Sequence, residues 1–324
     1  MEITAKLRKK FVKDCKLPIK IYEEPYFSYQ MNLFNEHYDC LAKYKCFKDS
    51  IKDFSTEEEY FSYYNKIKDT VMNTIKTNPY FIEFNERNMT DWTNYITNIS
   101  HYGFTTKDIF KESFIGRRFI SIDMIKANFN ALKYYNPAIF DNAATYEEYI
   151  SKFTNNEHII NSKYIREVIF GNCNPKRQIT FEKYLMSKLT LNVLSKIDIK
   201  DKIVFFSNDE IIIDITDMTS QEIDNIKQIF NEFAVVPIRI EDFILKGVYK
   251  KDLVFPQFNA NDENIAYIKE VTDGTISIKK YQSLYLPIII KTIKKGNIID
   301  YDLIFDYNDN LCKLIKTPDI YIKE

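Results

Sequence analysis

Three carboxylates stand where apolar runs stop. Asp123 closes the run Phe119-Ile120-Ser121-Ile122, and Asp209-Glu210 break a run that ends at Phe206 and resumes at Ile211. Carboxylate oxygens are the ligands that hard cations such as Mg2+ or Mn2+ require. Two such ions about 3.5–4 Å apart stabilise the attacking and the leaving oxygen of a displacement at phosphorus. Taken one at a time the acids have plainer uses, because an Asp after a strand is an ordinary helix cap and acids are common in surface hairpins. Basic residues give the second chemical signal. Lys163 and Arg166, three residues apart, share one helix face and are suited to a triphosphate, and Lys126 follows Asp123 closely. Arg117 and Arg118 precede the first run. Lys176 and Arg177 follow a polar turn at Gly171, where backbone N–H groups and Arg can hold the phosphates of a nucleic acid. A solvated basic face is the plain alternative for all of them.

The elements that must position these groups fall into three regions. Residues 1–113 read as helical and aromatic-rich. Ser55-Thr56 with Glu57-Glu58-Glu59 opens a helix that should run through Tyr60, Tyr64, Ile67 and Val71 to about Thr77, before Pro79. Thr90-Asp91 and Thr105-Thr106-Lys107-Asp108 look like two further helix starts. Residues 114–243 alternate in type. A strand ends at Asp123 and a helix follows to Tyr135. Helical stretches then run from Thr145 to about Phe153, from Ser162 to Phe170 and from Pro175 to Leu194. A hairpin carries Ser207-Asn208-Asp209-Glu210 between Ile203–Phe206 and Ile211–Ile213, although its turn lacks the usual Gly. Thr219-Ser220-Gln221-Glu222 starts an amphipathic helix, and Val235–Ile240 reads as a returning strand. Residues 244–324 turn to strands, with hairpin candidates at Asp273-Gly274 and Lys295-Gly296-Asn297, and Tyr301–Asp306 alternates as a strand does before Asn308-Asp309-Asn310. Leu284–Ile290, the longest apolar stretch, is strand-length and contains Pro287. The fold class expected is therefore α+β, with a helical N-terminal region and a β-rich C-terminal region.

Strand–Asp–helices–strand–acidic hairpin–strand–helix–strand is also the element order of a polymerase-type palm. Ile122-Asp123-Met124-Ile125-Lys126-Ala127-Asn128-Phe129 resembles motif A of polymerases. Phe206-Ser207-Asn208-Asp209-Glu210-Ile211-Ile212 resembles motif C, and its Asp-Glu pair is closest to family A DNA polymerases. Lys163-Tyr164-Ile165-Arg166-Glu167-Val168-Ile169-Phe170-Gly171 is similar to that family's motif B helix. The resemblance spans roughly residues 117–215. Asn208 stands where that family carries His, and Phe170 where it carries Tyr. A second resemblance is to tRNA-His guanylyltransferase-like enzymes, whose palm has a Ser-Asp-Glu hairpin; here one residue is inserted and no Asp-Gly-Arg follows. Nucleotidyl cyclases share this palm as well, but the Gly-Gly before their acidic pair is missing. The resemblance implies a ferredoxin-like palm in which Asp123, Asp209 and Glu210 hold two Mg2+ or Mn2+ ions. Lys163, Arg166 and Lys126 would face a nucleoside triphosphate. Arg117, Arg118, Lys176 and Arg177 would face DNA or RNA. The chain is short for complete fingers and thumb, so other subunits could complete the site. A non-catalytic nucleic-acid-binding or assembly subunit with an unused palm, and a nucleotidyl cyclase, are the rival readings.

Composition narrows the class without deciding it. The formal charge is −1, so no global positive field favours nucleic acid, and any basic groove must be local. Only 6 glycines stand against 24 Tyr and 25 Phe, a bias of the kind AT-rich genomes, some of them viral, produce; each remaining Gly then marks a backbone constraint. Cys15, Cys40, Cys46, Cys173 and Cys312 form no CxxC pair, and the spacing of His37, Cys40 and Cys46 fits no common zinc site. The N-terminus lacks the apolar core of a signal peptide, and no apolar run is long enough to span a bilayer. A reducing cytoplasmic or nuclear compartment, without secretion or membrane, is the expectation.

Overall fold

The computed structural model describes residues 2–251 and 262–324. Helices α1–α6 (Ala5–Asp14, Tyr26–Tyr38, Cys40–Ser50, Glu57–Thr77, Pro79–Glu86, Thr90–Ser100) build the N-terminal region. The first strand, β1 (Arg118–Met124), is followed by α7–α11 (Ala127–Tyr135, Tyr146–Ser151, Glu157–Asn161, Lys163–Gly171, Pro175–Leu194). Then come β2 (Ile203–Phe206), β3 (Glu210–Asp214), α12 (Ser220–Phe233) and β4 (Ile238–Lys250). The rest is β5 (Glu263–Val271), β6 (Ile276–Lys279), α13 (Leu286–Ile293), β7 (Ile304–Tyr307), β8 (Asn310–Lys313) and β9 (Ile320–Lys323). The chain is thus α+β. Among the described residues, no helix is long and apolar enough to cross a membrane.

Local chemistry explains most boundaries. Thr56 caps α4 by accepting from the Glu59 N–H, with acids in the first turn where the helix dipole favours them. Thr219 and Glu222 form a reciprocal capping box on α12. Pro175 opens α11, where its missing N–H costs nothing. Asn308 and Asp309 both take positive φ, 53° and 59°, which is the two-residue turn that a β7–β8 hairpin needs.

One sheet has the strand order β2-β3-β1-β4-β5-β6, with every neighbouring pair antiparallel. β1 pairs with the first half of β4, and β9 takes the same side of β4 further along, at Gly247–Lys250. The boundary expected at 243/244 therefore falls inside β4. Alternation along β1 and β3 sends Ile120, Ile122, Ile211 and Ile213 to one face, where they join the main core with Leu185, Leu189, Ile226 and Phe230. That core also takes residues from Leu7 to Ile290, so all three sequence regions contribute to it. Phe119, Ile212, Phe243, Leu245 and Tyr267 face the other way and are covered by Ile109, with Phe110, Phe114 and Ile115 against them.

Three expectations change here. Thr105–Asp108 starts no helix: the Thr105 carbonyl accepts from the Phe206 N–H at 3.0 Å, so this backbone runs along β2 and then over the sheet. Leu284–Ile290 is largely helical, as α13. Pro287 suits its first turn, and Leu286, Ile288, Ile289 and Ile290 are fully buried, a case in which periodicity cannot separate helix from strand. Lys295-Gly296 makes no hairpin. Lys295 (φ 51°) donates to the Thr292 carbonyl and Gly296 to that of Lys291, the double bond of a Schellman helix end.

The cover over the sheet is closely fitted. A Cβ on Gly247 would lie 2.5 Å from Ile115 Cδ1 and 2.7 Å from Tyr249 Cε2. Gly247→Ala should therefore cost about 1–3 kcal/mol in urea unfolding, with Ile115→Val recovering part of the loss. An unchanged midpoint for Gly247→Ala would mean that Ile115 is not seated on β4.

Candidate active site

Asp123 has an acid on one side and a cation on the other. It lies directly opposite Glu210 on β3 and Arg239 on β4, and directly opposed residues of antiparallel strands point to the same face. The ladder continues past the strand end, with the Met124 N–H on the Asp209 carbonyl at 2.8 Å and the Ile125 N–H on the Pro237 carbonyl at 2.9 Å. Asp209 sits in the two-residue turn between β2 and β3, which the Ser207 N–H closes on the Glu210 carbonyl at 2.8 Å. The Ser207 hydroxyl accepts from both the Asp209 and Glu210 N–H groups, and neither Asn208 nor Asp209 takes positive φ. That is why this hairpin needs no glycine.

The acids crowd one another. The Ser121 hydroxyl donates to Glu210 at 2.5 Å, and the Arg239 guanidinium reaches Asp123 at 2.9 Å and Glu241 at 3.3 Å. Glu241 also accepts from Lys269 at 2.6 Å. Burial pushes the Asp123 carboxyl up to about 6; Arg239 pulls it down, and Glu210, Asp209 and Glu241 push it further up. A further acid comes from α11. Glu182 is buried and accepts from the Asn208 side chain at 2.9 Å, and burial, with Asp209 adding to it, pushes this carboxyl up to about 7.

Asp123, Asp209 and Glu182 face a cleft of about 420 Å3, lined also by Lys126, Lys163, Arg166 and Arg239, while Glu210 lies on the other side of Asp123, away from this lining. Lys126 occupies the turn after β1 with φ 45°, and its ammonium is held by Glu147 at 2.5 Å. Arg166 lies over the Tyr146 ring at 5.7 Å, and its buried Nε has no hydrogen-bond partner. Lys163 is exposed at the start of α10.

The other basic residues expected here lie elsewhere. Arg117 and Arg118 are at the far end of β1, where Arg117 pairs with Asp214 and Arg118 lies opposite Ile244. Arg177 points away, its Nε donating to the Phe84 carbonyl at 2.6 Å and its guanidinium lying 5.1 Å from the Trp92 ring centre. It clamps α11 to α5 and α6. Lys176 is exposed one residue before it and does not line the cleft. Conversely, sequence reasoning missed Arg239 and Glu182. Glu182 did leave a trace, since it falls on the same helical stripe as Phe181, Leu185, Met186 and Leu189, where a charge is out of place.

The donor chemistry suits a hard divalent cation, because Asp123, Asp209 and Glu210 supply only oxygen. Among the described residues, however, no group of three or more His, Cys, Asp or Glu is arranged to hold a metal ion. Arg239 engages Asp123, and Ser121 engages Glu210. Comparison with protein-family models, curated proteins and solved structures gave no match for this chain.

Two outcomes follow from these contacts. A carboxyl whose folded pKa is raised weakens the fold when ionised, and that cost grows as pH rises from the ordinary carboxylate range through about 6. Asp123→Asn should therefore melt higher than the parent above about pH 6 in metal-free buffer, with the gap closing by about pH 4. A gap that is constant with pH would show that neither burial nor the surrounding acids raise the Asp123 carboxyl. Arg177→Ala should lower stability by about 1–3 kcal/mol while leaving nucleotide affinity unchanged, because it unpairs two helix-end carbonyls. Lost affinity with an unchanged melting temperature would return Arg177 to the site.

Proposed function

We propose that this chain is a metal-dependent nucleotidyltransferase of the polymerase-palm type, which transfers a nucleotidyl group from a nucleoside triphosphate to a nucleic-acid end. The observation that carries this reading is the position of Asp123, opposite Glu210 and hydrogen-bonded through the next residue to Asp209. The β-α-β-β-α-β succession from β1 to β4, with β4 and β3 on either side of β1 and β2 outermost, supports it as a ferredoxin-like arrangement. Asp123, Asp209 and Glu210 are the residues that would hold Mg2+ or Mn2+. The ions' contribution would be to neutralise charge on the reacting phosphate. Lys163 and Arg166, which line the cleft from α10, suit the triphosphate, and Lys126, tied to Glu147, holds the wall of the cleft. The protein's share of catalysis is positioning and electrostatic stabilisation.

The Arg239–Asp123 ion pair favours a second reading, a binding or assembly subunit in which an arginine has replaced the cation for good. Incorporation of labelled nucleotide separates the two. Under the first reading, Asp123→Asn and Asp209→Asn each lower the rate by about 10³-fold or more, and Mg2+ or Mn2+ raises the melting temperature of the parent but not of Asp123→Asn. Lys163→Ala and Arg166→Ala raise the nucleotide KM by amounts worth about 1.5–3 kcal/mol. Nucleic-acid binding that ignores metal and survives Asp123→Asn, with no incorporation, would establish the second reading.

A further inference from the structure

Beyond the Asp123–Arg239 pair lies a second cavity of about 210 Å3. Asp123 and Arg239 line both cavities, so this ion pair is their common wall. The character changes across it. The first cleft is polar and rich in cations from helices. The second is built on the sheet face, with Phe205 of β2, Phe243 of β4, Lys269 of β5 and Lys279 of β6; Glu210 and Asp108 add carboxylates to it, and it is roofed by Phe110 from the covering segment. Phe110 and Phe205 are only half-buried, so their rings are reachable. Desolvation, and then the neighbouring Lys269, lower the Lys279 ammonium below its usual range; Lys163 of the first cleft lowers it too, which puts the two cavities within electrostatic reach.

We propose that the second cavity is the acceptor site of the nucleotidyl transfer and that it takes the terminal nucleotide of a single-stranded nucleic acid. The proposal rests on the reading above, in which the first cleft holds the triphosphate. Exposed Lys279 beside the rings of Phe205 and Phe110 is what a single strand needs, since bases stack and an ammonium group meets phosphate, whereas Lys269 is held by Glu241. A duplex is excluded by the cover. Ile109 is fully buried on the sheet, and Phe110, Phe114 and Ile115 pack beside it on the same apolar cluster, so the face on which paired strands would lie is occupied. At the common wall the acceptor hydroxyl oxygen bonds to the α-phosphorus of the triphosphate. The bond from that phosphorus to the β-bridging oxygen breaks, pyrophosphate leaves through the first cleft, and the hydroxyl proton passes to water.

The test uses the full chain with Mn2+, labelled nucleoside triphosphate, and one short oligonucleotide, offered either single-stranded or as the recessed strand of a duplex. KM is measured separately for donor and acceptor in the parent, in Lys279→Ala and in Phe205→Leu, with melting curves to show that both variants fold. The single strand should be extended at least about tenfold more efficiently than the duplex, and each variant should raise the acceptor KM roughly tenfold with the donor KM unchanged. Equal or better use of the duplex, or variants that raise the donor KM instead, would overturn the acceptor site while leaving the nucleotidyltransferase reading intact. No incorporation on either acceptor would overturn that reading and the acceptor site with it.

Discussion

The pairing of β1 on both edges governs what can meet at Asp123. Because β3 and β4 both run antiparallel to β1, a single position fixes two partners, Glu210 and Arg239, on the same face. Side chains alternate with a period of two, so a slip of one residue on either edge would turn isoleucines toward the cleft and acids into the core. The ladder bonds that continue from Met124 and Ile125 to Asp209 and Pro237 prevent that slip at the point where it would matter most. The register is therefore as much a part of the site as the carboxylates are.

The chemistry of the site works against the fold around it. Four acids, Asp123, Asp209, Glu210 and Glu241, stand near one another with Arg239 and Lys269 as partial compensation. Glu182 adds a buried carboxyl that the Asn208 side chain satisfies from one side only. Left-handed backbone at the non-glycine Lys126, in the turn directly after the acidic strand end, adds local strain. A fold selected for stability alone would dilute such a cluster, and local conflict of this kind is what marks a functional site.

What was legible in the sequence follows from the range of the forces involved. Caps, an N1 proline and turn residues act within a few positions, so α4, α11, α12 and both acidic strand ends could be read directly. The same local logic failed where tertiary contacts decide: Thr105 gives its carbonyl to β2, and α13 is buried on all sides. Nearness in sequence also misled. Arg117 and Asp123 are six residues apart, which along a strand is about 20 Å, so the two lie at opposite ends of β1. Arg239 was missed because it enters the site only through the β1–β4 register, which one strand's sequence cannot specify. Arg177 falls outside the cleft because its partners, Phe84, Arg87 and Trp92, belong to another region of the chain.

The buried charge cluster at the base of α10 has a mechanical meaning. Asp14, at the end of α1, is wholly buried and is held by Lys10 at 2.5 Å, Tyr64 at 3.0 Å and His158 at 3.1 Å. Its backbone carbonyl accepts from Ser162, the N-cap of α10, at 3.4 Å, and Lys16 pairs with Glu167 one residue beyond Arg166. Helix α10 is therefore moored directly to α1 at both the start of the helix and the turn that carries Arg166, through a hydrogen bond, an ion pair and a shared core. The placing of Lys163 and Arg166 beside the acids thus depends on α1, with no intervening loop between the two helices' contacts.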